Sequence, residues 1–443
     1  MKLHNYQQRS IDHMKRTEKA ILSVGMGLGK TAATLHYINS ARWVQRLLIV
    51  APKRVAETVW KQEAEKWGLK ELADKLQIVS GSKAKRQKII ENNDFLIIGR
   101  DNLSDVENMI FFLFFLDELS SFKNISSNRT DFVCSINAKQ KIGLTGTFLT
   151  NGAMDMYGQF AALGIGNMTT KRERVSQFYR WRATHFKDLL AGSGLQFSKW
   201  KLRTPLQELL KNVKNNIFTL DSGDWLDIPE VEYIQHEVVL TDNEMNEYLR
   251  LNTMLYAKLD DEVVSFNEAQ KFAKLQTLCN GFVYTDSGDA VRSEFSTKLD
   301  EVCDFVDRCV SEGEQVLLFY AFVEEKKWIE EKLKKLHISF TDVKDRRFME
   351  KWNGGEVEVM LAHGMSASHG LNMHEGGARM MVWSSIPYDY EIWAQANARL
   401  VRQGQKRGVK IHSFIAKNTV EVRKVIALKE KEKVLTEFIE LTK

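Results

Sequence analysis

What most limits the fold of this chain is a pattern that occurs twice: short, nearly unbroken apolar runs alternating with helical stretches. The first series is AILSV (20–24), RLLIVAP (46–52), DFLIIGR (94–100), MIFFLFFLDE (109–118) and QKIGLTGT (140–147). The second is QVLLFYAF (315–322), VEVMLAH (357–363), RMMVWSS (379–385) and VKIHSFI (409–415). Strands that are apolar on both faces belong in parallel sheets, because connecting helices cover both sides. The pattern predicts an α/β fold of two parallel-sheet units separated by a mainly helical interruption. The boundaries are drawn at 1–165, 166–230 and 231–443, with a helical segment at 240–280 opening the last unit.

Composition narrows the class further. No apolar run approaches the ~20 residues of a membrane span, and the N-terminal MKLHNYQQRS has no apolar signal core. A cytoplasmic protein without membrane contact is expected. The four cysteines form no CxxC pair and have no histidines at ligand spacing, so buried thiols are expected in place of a zinc site. Charge is unevenly spread. Between Lys171 and Lys214 eleven Lys/Arg face three Asp/Glu, a local excess of eight in a chain of net charge +5. Phe178, Tyr179, Trp181 and Trp200 are interleaved there. This is the footprint of a polyanion partner, with a solvated helical face as the plainer alternative.

Three constellations carry chemistry. GMGLGKT (25–31) follows a predicted strand and opens a helix. Gly27 and Gly29 let backbone N–H groups turn toward phosphates, Lys30 neutralises them, and Thr31 offers a hydroxyl to Mg²⁺. The strand ending in Asp117 and Glu118 delivers two carboxylates to the sheet edge where α/β ligands bind. Asp117 suits the Mg²⁺ shell, and Glu118 suits orienting and deprotonating a water. Arg399 and Arg402, three apart in QANARLVRQGQ (395–405), read as sharing one helix face. They are suited to stabilising the charge of a transferring γ-phosphoryl group.

Together these residues resemble the Swi/Snf-like branch of superfamily-two helicases over nearly the whole chain. LHNYQQ is similar to the adenine-reading element, MGLGKT to motif I, LLIVAPKRVAETVWKQEAEKW to motif Ia and LDELSSFKN to motif II. GLTGTFLTNG is similar to motif III, VLLFYAF to motif IV, SASHGLNM to motif V and QANARLVRQGQ to motif VI. The wording is most like phage-encoded members, which would place the protein in a host cytoplasm.

The resemblance implies two RecA-like lobes and an ATP-dependent translocase on double-stranded DNA, using ATP and Mg²⁺. Gln7 would read adenine, and Gly370 and Asn372 would approach nucleotide or strand. Ser120, Thr145, Thr147 and Gln395 would couple hydrolysis to motion, with Arg399 and Arg402 acting as arginine fingers. Lys53, Arg54, Arg100, Lys171, Arg172, Arg174, Arg180 and Arg182 would hold nucleic-acid phosphates. A monomer is expected, with a replication or recombination protein as a partner to consider. Two departures stand out: Val24 and Gly25 replace an acidic pair before motif I, and Ser120 replaces the histidine of motif II. Two other readings are a strand-separating helicase on single-stranded DNA or RNA, and a nucleic-acid-binding scaffold with a degenerate site. The second would be expected to have lost Glu118 or an arginine.

Overall fold

Seventeen strands can be followed in a computed structural model that describes residues 2–165, 170–189, 200–260, 268–285, 288–367 and 373–443. In chain order they are β1 Lys19–Val24, β2 Leu47–Ala51, β3 Gln77–Val79, β4 Phe95–Gly99, β5 Ile110–Asp117, β6 Asn137–Thr145, β7 Phe186–Asp188, β8 Trp200–Leu202 and β9 Ile217–Leu220. There follow β10 Val231–Val238, β11 Phe282–Tyr284, β12 Ala290–Arg292, β13 Val316–Tyr320, β14 Phe340–Asp342, β15 Val359–His363, β16 Met380–Trp383 and β17 Val409–Ala416. The chain divides into two units: Met1–Leu226 with Lys431–Lys443, and Asp227–Glu430.

The first unit is built on a seven-stranded sheet of order β3-β4-β2-β5-β6-β1-β9, parallel at every pairing. Its central strands are as apolar as they are because both faces are inside: all five residues of β2, and Leu113–Leu116 of β5, are inaccessible to solvent. The second unit carries a parallel six-stranded sheet of order β10-β17-β16-β13-β15-β14. In both units helices connect the parallel strands, the α/β pattern that the apolar runs predict. Among the described residues no helix is long and apolar enough to cross a membrane.

The interruption is shorter than 166–230. It holds the helix Lys171–His185, started by a Thr170/Glu173 capping box, the hairpin β7–β8 and a short helix, Leu206–Leu210. Residues 217–220 then return as β9 to pair with β1 in the first sheet. Segment 240–280 is two helices, Asp242–Asp260 and Glu268–Cys279.

The last residues of the C-terminal helix Val420–Thr442 belong to the first unit. There Phe438, fully buried, lies 5.0 Å from the ring of Phe148, which follows directly on Thr147. Thr442 hydrogen-bonds Thr219 of β9 at 2.7 Å, and Lys443 pairs with Asp224 at 2.7 Å. Truncating a buried aromatic costs about 3–5 kcal/mol through lost transfer energy and an uncollapsed cavity. Phe438→Ala is therefore expected to lower the denaturant midpoint of the first unit's transition, read by circular dichroism, and an unchanged midpoint would refute this anchoring.

Candidate active site

β1 stops at Val24, and the chain turns back through two left-handed glycines, Gly27 (φ +84°) and Gly29 (φ +71°), into the helix Lys30–Ser40. At Gly29 a side chain would be strained and would also strike Gln7 Nε2 at 2.3 Å. Gln7 is buried against the turn, where its Oε1 accepts from the His4 N–H (2.9 Å) and its Nε2 donates to the Leu28 carbonyl (3.4 Å). The other side of the turn is backed by Ser222, which donates to the Met26 carbonyl (2.8 Å) and leaves no room for a Cβ at Gly25. That close approach gives a physical reason for glycine where an acidic residue was expected. Lys30 Nζ donates to the Val24 carbonyl at 2.7 Å. Desolvation pulls its pKa down, opposed by the charges of Glu118 and Asp117.

Sheet register brings the other groups to the same edge. Ser23 pairs with Thr145, and Asp117 with Leu144 next to it, so β1, β6 and β5 end side by side. Asp117 Oδ2 accepts from the Trp60 indole (3.2 Å) and Oδ1 from the Glu118 N–H (3.1 Å). Desolvation, with the neighbouring Glu118 charge, pushes the Asp117 carboxyl up to about 7. Glu118 sits in the left-handed region (φ +57°), a strained conformation for a side-chain-bearing residue that the surrounding fold imposes. Ser120, fully buried, donates to Glu118 Oε1 at 3.5 Å, so the serine in the histidine position still reaches the carboxylate. Thr145 and Thr147 form a tight pair: Thr145 Oγ1 donates to the Thr147 carbonyl (2.8 Å) and accepts from the Thr147 N–H (3.2 Å). Thr147 Oγ1 is buried without a partner among the described residues.

These residues fit a magnesium nucleotide. A glycine turn at a helix N-terminus and an ammonium suit phosphates, and the mutual repulsion of Asp117 and Glu118 is what a divalent cation relieves. Asp117 must lose its proton to take that cation. Between pH 8 and pH 6 its ionised fraction falls about tenfold for a pKa near 7, and Mg²⁺-dependent nucleotide affinity should fall with it. Stability runs the other way. A carboxyl whose folded pKa is raised favours the folded state at low pH, and that contribution is lost as pH rises through 7. Asp117→Asn is thus expected to abolish the pH dependence of Mg²⁺ affinity measured by calorimetry, while raising the melting temperature at pH 8.

The residues of the second unit are placed differently from the sequence reading. The helix Tyr390–Asn397 stops before the arginines, which lie on the turn that follows, so Arg399 and Arg402 do not share a helix face. Ala398 takes a C-cap conformation, and the Arg399 side chain folds back, its Nε donating to the Gln395 carbonyl at 3.1 Å. Gln395 Nε2 donates to Glu391 at 3.2 Å. Burial lowers the Arg402 pKa, with Glu375 opposing, and the guanidinium remains charged. Gly370 and Asn372 lie outside the described residues.

The basic helix is also partly reassigned. Arg174 is 2% exposed and paired with Asp131, so it cannot meet a phosphate as expected. Lys171 reaches the same Asp131 at 2.5 Å, and the Arg182 guanidinium lies over the Trp200 ring at 4.1 Å. Phe178 and Trp181 pack on Tyr157. Arg172 and Arg180 are exposed, as are Lys53 and Arg54 at the start of the helix Lys53–Lys66. Arg100 donates to Ser121 Oγ at 2.5 Å, beside the carboxylate strand. Sequence reasoning assigned no role to Trp60 or Ser222. The tryptophan was visible in the motif, but its bond to Asp117 depends on register that a single sequence does not carry.

Residues 6–287 match the family model described as the SNF2-related domain. The chain is 27% identical to protein p41 of Acyrthosiphon pisum secondary endosymbiont phage 1, over 94% of this chain and 93% of that protein. It is 23% identical to an uncharacterized ATP-dependent helicase of Mycoplasma pneumoniae, over 99% of this chain and 42% of that protein. It therefore spans less than half the length of the helicase. Its identity to the ISWI chromatin-remodeling complex ATPase ISW1 of Saccharomyces cerevisiae is 20%, over 95% of this chain and 39% of that protein. The solved Sulfolobus solfataricus SWI2/SNF2 ATPase core in complex with dsDNA aligns with a TM-score of 0.44 and 20% identity, covering 99% of this chain and 93% of that one.

Proposed function

The chain belongs to the SNF2-related family, and from that premise we propose that it couples Mg-ATP hydrolysis to movement along double-stranded DNA. At the coarser level it is a nucleic-acid-dependent ATPase of the helicase type. The observation that carries the finer reading is the convergence of Lys30, Asp117, Glu118 and the Thr145–Thr147 turn on one sheet edge. ATP is the substrate. Gln7 reads its base, Lys30 and the glycine turn hold its phosphates, and Thr31 and Asp117 hold Mg²⁺. When bound, that ion neutralises phosphate charge. Glu118 orients a water and accepts its proton, and its strained backbone fixes the direction of the carboxylate. Arg399 and Arg402 supply positive charge as the γ-phosphoryl group transfers. Conformational change tied to ATP turnover is how hydrolysis becomes motion.

Thr147 couples the two: it follows β6 at the edge that carries Lys30 and Asp117, and its neighbour Phe148 packs on Phe438. DNA is gripped through phosphates by Lys53, Arg54, Arg172 and Arg180, without base reading and with strong salt dependence. The test is ATP turnover with blunt duplex, single-stranded DNA and RNA across salt concentrations. Duplex should stimulate most, and Arg172→Ala and Arg180→Ala should each reduce the salt slope of duplex binding by about one. Stimulation by single strands alone would contradict the duplex assignment.

A further inference from the structure

On the first unit, at the end of the sheet where the strands start, a cavity of about 410 Å³ opens between Lys15–Glu18, the end of the helix Lys30–Ser40, Trp43 and Lys139–Gln140. The six residues of β1 separate it from the glycine turn, roughly 20 Å at strand rise, so it is no part of the nucleotide site. The cavity falls within the ~300–1,000 Å³ typical of ligand pockets.

Its floor is already satisfied and so preformed. Gln140, buried, accepts from the Tyr37 hydroxyl (2.5 Å) and donates to the carbonyls of Met14 (2.5 Å) and Thr17 (2.8 Å). Its rim is charged. Lys15, Arg16 and Lys139 are exposed and have no ion-pair partner among the described residues. Three cations against the single carboxylate of Glu18 leave a net charge of +2. Trp43 is 44% exposed beside them, with Lys139 Nζ 5.6 Å from its ring. Lys15 and Arg16 fall in the last turn of the helix Asn5–Arg16, where cations complement the helix dipole. That explains two of the cations, but neither Lys139 nor the exposed indole.

We infer that this cavity docks a short acidic peptide segment of a partner protein, one bearing a single apolar side chain. Carboxylates pair with Lys15, Arg16 and Lys139, and the apolar group packs on Trp43; tryptophan and arginine are the anchors enriched at such contacts. The charge fits an acidic segment, and the concave shape fits a side chain better than a duplex. A nucleic-acid track would present cations in a row along an open groove, without Glu18 facing the phosphates.

The experiment uses the full chain and a fluorescein-labelled peptide, Asp-Asp-Glu-Leu-Phe with a free C-terminal carboxylate, followed by anisotropy at low and raised salt. Saturable, salt-weakened binding is expected. It should weaken at least tenfold with Trp43→Ala and with Lys15→Glu plus Lys139→Glu, and be absent for Asn-Asn-Gln-Leu-Phe. Melting curves confirm folding, and ATP turnover should stay within twofold because none of these residues belongs to the nucleotide machinery. No binding, or equal binding by the charge-reversed protein, overturns the inference. So does loss of labelled oligothymidylate binding in that variant without any peptide binding, which makes the surface a nucleic-acid contact.

Discussion

Arg402→Ala is expected to lower duplex-stimulated ATP turnover by about 10³–10⁵-fold, the range by which arginine fingers accelerate phosphoryl transfer. Nucleotide binding should survive, because the residues that hold the nucleotide in this account, Gln7, Lys30, Thr31 and Asp117, all lie in the first unit. Partial burial would strengthen that effect: a guanidinium removed from water interacts more strongly with developing negative charge than an exposed one. Arg402→Lys keeps the charge but loses the planar fork, so it should recover only a small part of the rate. A fluorescent ATP analogue binding normally to an inactive Arg402→Ala protein is the expected pair of results. Full turnover would remove the arginine from the chemistry.

Glu118→Gln should cost about 10²–10⁴-fold, the usual worth of a positioned general base. The amide keeps the size of the side chain and its acceptor oxygen toward Ser120, whose hydroxyl lies 3.5 Å from Oε1. It loses the basicity. The defect should therefore appear in the hydrolytic step, with ATP bound as tightly as in the parent and trapped on the enzyme. Rapid-quench measurement of single turnovers separates this from a binding defect, and an undiminished burst of phosphate would refute Glu118 as the base. Ser120→Ala, which removes the same contact from the other side, should reduce turnover far less.

The core strands were legible because burial on both faces writes itself as continuous apolar runs, as in Leu47–Ala51 and Val316–Tyr320. The strands at the sheet edges were not legible. β9 (Ile217–Leu220) is four residues long and follows a basic stretch, and half the residues of β10 (Val231–Val238) are exposed, so neither shows a continuous run. β3 and β14 have three residues each, too few for any period to register. The nucleotide loop and the two carboxylates were readable because their chemistry needs fixed residue types at fixed spacing. The arginine pair was readable as residues but not as geometry. Helical spacing suggested a shared face, whereas the helix ends at Asn397 and the arginines follow on a turn. Arg174 illustrates the limit of charge counting, since its partner Asp131 lies 43 positions earlier. Ser222 behind Gly25 was out of reach for the same reason, the two being 197 positions apart in the sequence.

The central claim is that ATP hydrolysis drives this chain along duplex DNA. It is tested most directly by displacement of a third strand from a DNA triplex, in which a moving protein strips the strand without opening the duplex beneath. The account predicts ATP-dependent release by the parent protein, none by Glu118→Gln, and an intact duplex afterwards. Separated duplex strands, or strong duplex-stimulated hydrolysis with the third strand left in place, would contradict it.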